Sequence, residues 1–121
     1  MAVTVTNQSN PLASKLVQDT AATNSAQDNT TGASGTLYMV EIDNSSYSTA
    51  VYLKLADATD ATAGTTAATL VLLCPASVKR SYVFPEGIAF GSGFCHWCVT
   101  GAAESNDSAP STTPTIRYIT S

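Results

Sequence analysis

Charge is what this sequence has least of. Only 12% of its residues are charged, and the net charge is −4. That is about half the usual charged share of a globular protein. The five cations are dispersed, and only Lys79 and Arg80 are adjacent. Nucleic-acid binding requires concentrated positive charge, so we expect no nucleic-acid partner. Short polar residues take the place of charge, which is common on surfaces that neighbours cover, because burying them costs less than burying Lys or Glu.

Long hydrophobic runs are also missing. The longest apolar stretch, Ala67–Ala76, is about half the roughly 20 residues that a membrane-spanning helix needs, so we expect no membrane partner. The N-terminus lacks a basic region followed by an apolar one, so no secretory signal is expected. Three cysteines, an odd number, do not make a disulfide framework. This cysteine usage favours a chain made in a reducing cytoplasm.

Residues 1–36 differ from the rest because they contain few large apolar residues, and none lies between Thr20 and Thr36. Such a segment cannot bury enough surface to offset its own ordering entropy. We therefore predict an extended N-terminal arm over residues 1–36 that takes its shape from another chain. On this view the remaining domain should fold even when residues 2–30 are deleted.

The few apolar residues of this arm are its candidate contacts with a partner. Val3 and Val5 alternate, as in a short strand added to a neighbour's sheet edge. Asn10 as a cap and Pro11 at the first position favour one or two helical turns. Those turns would carry three further candidate contacts: Leu12, Leu16 and Val17.

After Thr36 the alternation of apolar and polar residues changes to period two, which predicts half-buried strands. One strand has three residues on its apolar face: Tyr38, Val40 and Ile42. Another has Val51, Leu53 and Leu55. Leu70–Cys74 is apolar throughout, which predicts a strand covered on both faces.

Turn signals divide the remaining sequence into further short strands. Pro75–Ser77 and Pro85–Gly87 are predicted turns, with an alternating segment between them. Phe94–Val99 is a strand rich in aromatic residues, and Ile116–Ile119 closes the chain. Six to eight short strands predict an all-β fold over residues 37–121, an antiparallel β-sandwich or jelly-roll-like domain.

The segment Cys95-His96-Trp97-Cys98 is the motif that most suggests chemistry. Together with Cys74 it would offer enough ligands for a tetrahedral zinc ion. In a strand, however, Cys95 and Cys98 point to opposite faces, whereas zinc knuckles and redox pairs place both thiols on one turn or helix start. We interpret the cysteines and Trp97 as packing residues and His96 as a half-buried histidine bonded to a backbone carbonyl. A zinc or redox protein is kept as a third hypothesis.

Catalytic and cofactor-binding residues are not predicted. No Ser-His-Asp or Cys-His-Asn signature can be assembled, so we expect neither an enzyme nor a cofactor. Loop carboxylates such as Asp57 and Asp60 are expected to be solvated. Tyrosine combines apolar area with a polar tip, which makes four residues candidate interface residues: Tyr47, Tyr52, Tyr82 and Tyr118.

The domain from about Leu37 to Ser121 resembles small β-sandwich proteins on the heads of tailed bacteriophages, particularly cyanophages, which are cement or decoration proteins. The order of elements carries the resemblance: Leu37–Asn44, Val51–Leu55, Gly64–Thr66, Pro75–Ser77, Phe84–Phe90 and Val99–Thr100, followed by a Ser/Asp/Pro loop and a closing strand. The segment before Thr36 is not covered. The two cysteines of Cys95–Cys98 are not expected of such proteins.

The resemblance implies a structural virion protein, made in the host bacterial cytoplasm, that binds the outer capsid surface. Its implied partners are the major capsid protein and further copies of itself, commonly in a homotrimer. An alternative from a different class is a tail-fibre or receptor-binding module that uses an aromatic patch on carbohydrate.

Overall fold

The computed structural model describes residues 3–7 and 13–121, and all regular elements in these residues are β-strands. They are β1 (Val3–Asn7), β2 (Lys15–Asp19), β3 (Gly35–Asp43), β4 (Val51–Asp57), β5 (Leu70–Cys74), β6 (Lys79–Phe90), β7 (Phe94–Val99) and β8 (Thr115–Thr120). The predicted all-β class is confirmed.

The strands form two antiparallel sheets. The large sheet has the order β1-β2-β8-β3-β6, and the small sheet has the order β5-β4-β7. The main core lies between them and includes Val17, Leu37, Leu53, Phe90, Phe94 and Tyr118. This arrangement confirms the predicted antiparallel β-sandwich.

Strand β3 differs from its predicted facing by one residue near its start. The prediction placed Tyr38 on the buried face with Val40 and Ile42, but Leu37 is buried instead. A register shift between Leu37 and Met39 interrupts the pairing of β3 with both neighbours. Because a bulge inserts one extra residue, it reverses the facing of the residues that precede it.

In the small sheet, β5 was predicted to be buried on both faces, but the strand that is buried on both faces is β7. The three apolar residues predicted to share the inner face of β4 are fully buried: Val51, Leu53 and Leu55. On β5, however, Val71 and Leu73 are 44% and 36% exposed, so that prediction is wrong. All six residues of β7 are buried. A continuous apolar run does not reveal which strand the loops cover.

Loops form a second, smaller core on the outer face of the small sheet. Cys95, Trp97 and Val99 of β7 pack there with Ala56 of β4 and with alanines of the loop that follows it. Lys54 is also buried beneath this cover, and its Nζ donates a hydrogen bond to the Ala103 carbonyl at 2.6 Å. Burial lowers the pKa of Lys54 because it disfavours the charged form.

The predicted turn at Pro85–Gly87 is an insertion within β6. Strand β3 pairs with Val83 and again with Ile88, but skips the residues between them. Gly87 has a φ of 76°, and a Cβ there would lie 2.2 Å from Cγ2 of Thr36. Both the left-handed backbone and the close approach require glycine at this position.

Residues 15–19 form a strand, so the predicted helical turns are wrong for Leu16 and Val17. Strand β2 lies between β1 and β8 in the large sheet. The side chain of Val17 is completely buried in the main core. The other three residues of the predicted helix lie outside the described residues: Asn10, Pro11 and Leu12.

The segment after β2 lies along the small sheet of its own chain. Backbone hydrogen bonds of 2.8–3.1 Å join Thr23, Gln27 and Thr30 to β7. Main-chain bonds and small buried groups such as Ala22 hold this segment, rather than large apolar side chains. We call residues 15–30 the clasp, since they extend the large sheet and then cover the edge of the small one.

Candidate interaction surface and buried polar network

The sheet edges are the candidate interaction sites, because an edge strand offers unpaired backbone groups to another chain. The clasp covers β7. Strand β6 carries Lys79, Arg80, Pro85 and a bulge, all of which obstruct strand addition. On β5, the Tyr82 hydroxyl donates a hydrogen bond to the Leu73 carbonyl. Strand β1 has none of these protections.

Within the described residues, β1 combines an open backbone edge with an uncovered apolar residue. It contains no charged residue and no proline, and four of its five residues are exposed. Val3 packs partly against the main core, whereas Val5 is 42% exposed. Val5 pairs with Val17, whose side chain is in the core. Opposite residues share a face, so Val5 extends the core-facing side of the large sheet to where nothing in the described chain covers it.

The other predicted contact residues occupy different environments. Leu16 is half-buried on β2, and Val17 packs inward with no exposed surface. Leu12 lies outside the described residues. Tyr47 is half-buried against the main core, and its hydroxyl accepts a hydrogen bond from the Ser111 backbone N–H at 3.4 Å. Hydrogen bonding to Ser111 lowers the pKa of Tyr47. Val3 and Val5 are thus the two that share an open edge strand.

A buried polar network joins the two sheets. Nε2 of His96 lies 2.8 Å from Oδ2 of Asp19, and Nδ1 of His96 lies 2.9 Å from the Tyr118 hydroxyl. That hydroxyl lies 2.7 Å from Oγ1 of Thr30 in the clasp. Asp19, His96 and Tyr118 are at most 1% exposed. The interpretation of His96 as half-buried and bonded to a backbone carbonyl is therefore wrong, because its ring partners are side chains in a closed site.

The order carboxylate, imidazole and hydroxyl resembles a hydrolytic triad, but burial changes what these groups can do. Desolvation raises the pKa of Tyr118 well above its usual value, since burial disfavours the phenolate. No substrate can contact the His96 imidazole in this structure, because neither it nor its partners reach the surface. The network instead anchors the clasp to β7 and β8.

Sequence reasoning missed Asp19 because this residue immediately precedes the polar segment assigned to the arm. Spacing supplies the signal that could have identified it. In a strand over residues 15–19, Val17 and Asp19 share one face, so a buried Val17 implies a buried carboxylate that needs a partner. The chain has a single histidine, and that histidine is the partner.

The three cysteines are free and buried. Cys74 and Cys98 lie in the main core, whereas Cys95 lies in the outer core, which confirms that Cys95 and Cys98 point to opposite faces of β7. Burial raises the pKa of all three thiols, and that of Cys98 to about 12. Trp97 is 1% exposed and packs in the second, smaller core on the outer face of the small sheet, which agrees with its interpretation as a packing residue. Within residues 3–7 and 13–121, no group of three or more His, Cys, Asp or Glu side chains could hold a metal ion.

Two hollows in the described surface are poor sites for a large ligand. A polar cavity of about 80 Å³ lies between Asp43–Tyr47 and Thr112–Thr115. That volume suits water molecules better than a ligand, since ligand pockets usually exceed about 300 Å³. A hollow of about 420 Å³ is bounded only by Phe84–Ile88, so it is an open surface beside the β6 insertion.

In the part of the chain that the structure describes, no helix is long and apolar enough to cross a membrane. No protein-family model, no curated protein and no solved structure matches this chain. Function therefore has to be inferred from the surfaces and contacts described above.

Proposed function

We propose that this chain is a capsid cement or decoration protein, a structural virion protein that binds the outer surface of a phage head. The observation that carries the proposal is β1, an uncharged and unprotected edge strand at the end of the large sheet. The resemblance of residues 37–121 to such proteins and the low charge content support it. The implied partner is the major capsid protein.

Strand addition is the mechanism that β1 suits. An extended coat segment would pair with the free edge of β1, so main-chain hydrogen bonds would supply affinity and the exposed Val5 side chain would supply apolar contact. Separating two coat subunits would then also require breaking this pairing. Several copies acting on one head would add their contacts as avidity.

A mechanical role also requires a body that resists deformation, and the described contacts suit that role. The two sheets are joined by the Asp19–His96 contact and by the clasp, which extends the large sheet and covers an edge of the small one. A load applied at β1 passes to β2 and then to β8 through continuous strand pairing.

The test is binding of purified protein to expanded, empty phage heads that lack their own decoration protein, measured by co-sedimentation and electron microscopy. Val5→Lys places a charge on β1, and we expect it to weaken attachment at least tenfold without unfolding the protein. Val83→Lys is the matched control, because Val83 is 57% exposed on β6, the opposite edge of the same sheet.

A copy number that matches the capsid lattice supports the cement role. A few copies confined to the tail support the receptor-binding alternative instead. Absence of binding to heads overturns the proposal, and equal binding by the two lysine variants removes β1 from the mechanism. The homotrimer that the resemblance implies is checked separately, from the mass of the purified protein by light scattering.

A further inference from the structure

We infer that the clasp, residues 15–30, is exchanged between copies of this chain, so that each copy covers the β7 and β8 surfaces of its neighbour. The structure shows the clasp on its own chain. Exchange keeps the same contacts but makes them between two chains. This inference concerns contacts between copies and does not depend on capsid binding.

The clasp makes a self-contained set of contacts. Strand β2 pairs with β8 along the edge that faces away from β1. Thr23, Gln27 and Thr30 form backbone hydrogen bonds with β7. Ala22 donates its backbone N–H to the Pro114 carbonyl at 3.1 Å, just before β8. Asp28 also accepts a hydrogen bond from the Ala61 backbone N–H at 3.0 Å. All of these partners lie after the clasp in sequence, so a clasp from a second copy would find the whole acceptor surface on one body.

The buried network makes that acceptor surface specific. An incoming clasp brings Asp19 to Nε2 of His96 and Thr30 to the Tyr118 hydroxyl. It also supplies Val17 to the main core. An unrelated strand would leave Nε2 of His96 buried without a partner, although Nδ1 would keep its contact with Tyr118, and an unsatisfied buried polar atom is unfavourable. The matching occupant is therefore another copy of the same segment.

A short hinge, residues 31–34, connects the clasp to β3. Three of its four residues are exposed. Its hydrogen bonds stay local: the Gly32 N–H donates to the Asn29 carbonyl at 2.9 Å, and the Thr31 hydroxyl donates to the Ala33 carbonyl at 3.0 Å. A Cβ on Gly32 would meet nothing within 4 Å.

The reversal at the hinge is tight, which favours opening. Asn29 has a φ of 45° and Gly32 a φ of 75°, both in the left-handed region. Opening the hinge loses one backbone bond and frees Gly32, while the clasp contacts form again on the neighbour. Short hinges under strain are where exchange of an identical element occurs.

The geometry of exchange also limits the assembly. A four-residue hinge spans at most about 14 Å when extended, so donor and acceptor copies must lie side by side. Each copy gives one clasp and receives one. Reciprocal exchange between two copies gives a symmetric dimer, whereas passing the clasp to the next copy in one direction gives head-to-tail contacts that close into a ring when the rotation permits. A small closed assembly, the trimer included, is therefore the expected product.

A disulfide trap distinguishes exchange from closure within one chain. Gln18 of β2 pairs with Arg117 of β8, and their side chains are in contact at 3.2 Å. In a Gln18→Cys/Arg117→Cys variant, oxidation links the clasp to whichever chain accepts it. On a non-reducing denaturing gel, exchange gives bands at two or more chain masses. Closure within one chain gives a single-chain band. The Gln18→Cys and Arg117→Cys variants, which each retain the three native cysteines, control for cross-linking through Cys74, Cys95 and Cys98.

A second variant tests the hinge directly. Inserting six Gly and Ser residues after Gly32 in the variant that carries both substitutions relaxes the reversal, so closure on the same chain is favoured over exchange. We expect the linked multi-chain product to fall at least fivefold at equal protein concentration. The inference is overturned if the Gln18→Cys/Arg117→Cys variant without the insertion gives only a single-chain band. It is also overturned if the insertion leaves the amount of multi-chain product unchanged.

Discussion

Asp19 joins the two sheets through one side-chain contact with His96. Asp19→Ala leaves Nε2 of the imidazole buried without its carboxylate partner, and we expect a loss of about 1–3 kcal/mol in the free energy of unfolding. Urea titration followed by tryptophan fluorescence measures it, since Trp97 lies on the same strand as His96.

Glu41→Ala is the matched control for that experiment. Glu41 lies 2.9 Å from the Arg117 guanidinium, but the two side chains are 23% and 36% exposed. An exposed pair contributes about 0.2–1 kcal/mol. If Asp19→Ala destabilises the protein no more than Glu41→Ala does, the buried network is not the anchor described above.

Asp57 stabilises the turn between β6 and β7 through its charge. Its carboxylate accepts backbone N–H bonds from Ser92, Gly91 and Gly93 at 2.7, 3.0 and 3.4 Å. These bonds, that of Ser92 foremost, hold the pKa of Asp57 below its usual value. Because the folded pKa lies below the unfolded one, the stabilisation is complete above the ordinary carboxyl pKa and is lost as the pH falls through the folded pKa.

Asp57→Asn should therefore flatten the acid dependence of stability. We expect the variant to be less stable than the wild type at pH 7, and the difference to shrink between pH 4 and pH 2. Thermal unfolding at a series of pH values measures it. A stability difference that stays constant down to pH 2 would show that the Asp57 charge does not support this turn.

At the scale of elements, the β6 insertion depends on Gly87. Gly87→Ala adds a Cβ at a positive φ and against the Thr36 side chain, and we expect a loss of about 2–4 kcal/mol in unfolding free energy. Gly91→Ala is the control, because a Cβ there meets nothing within 4 Å. Equal melting temperatures for the two variants would contradict the role assigned to Gly87.

Strands were predictable where alternation is local. The inner face of β4 follows directly from its period of two, and the opposite facing of Cys95 and Cys98 follows from their spacing. The facing of Leu37 was not predictable, because a bulge depends on how neighbouring strands pair rather than on β3 alone. The exposure of Val71 was missed for a similar reason, since loop cover is a tertiary property.

At the scale of the whole molecule, composition shows that the first 36 residues differ from the rest but not what they contact. Their lack of large apolar residues predicts a segment without a fold of its own, and its described part from residue 13 onward follows the sheets of its own chain. Backbone hydrogen bonding does not depend on side-chain type, so a polar segment can cover an edge strand. The contact of Asp19 with His96 joins residues far apart in sequence, so the local pattern of β2 signals a buried carboxylate but not the strand that supplies its partner.

Two truncations separate β1 from the clasp. Deleting residues 2–7 removes β1, and we expect the remaining sandwich to stay folded with a small loss of stability. Deleting residues 2–30 removes Val17 and Ala22 from the core and Asp19 from His96, so we expect the body to unfold. Circular dichroism and denaturant titration compare the two. A cooperative unfolding transition in the longer deletion would restore the independent body that composition predicts.

The pairing of β2 with β8 also constrains the time course of folding. Strand β2 is synthesised early and β8 late, so β2 has no body-side partner until nearly all of the intervening chain has left the ribosome. During that interval Val17 and Asp19 face water, and any finished copy with an open β8 edge can capture them. Loop-closure entropy makes such distant pairings slow. When several ribosomes translate one messenger RNA, their nascent chains are close together. This proximity would therefore favour clasp exchange between neighbouring chains over closure of the clasp within each chain.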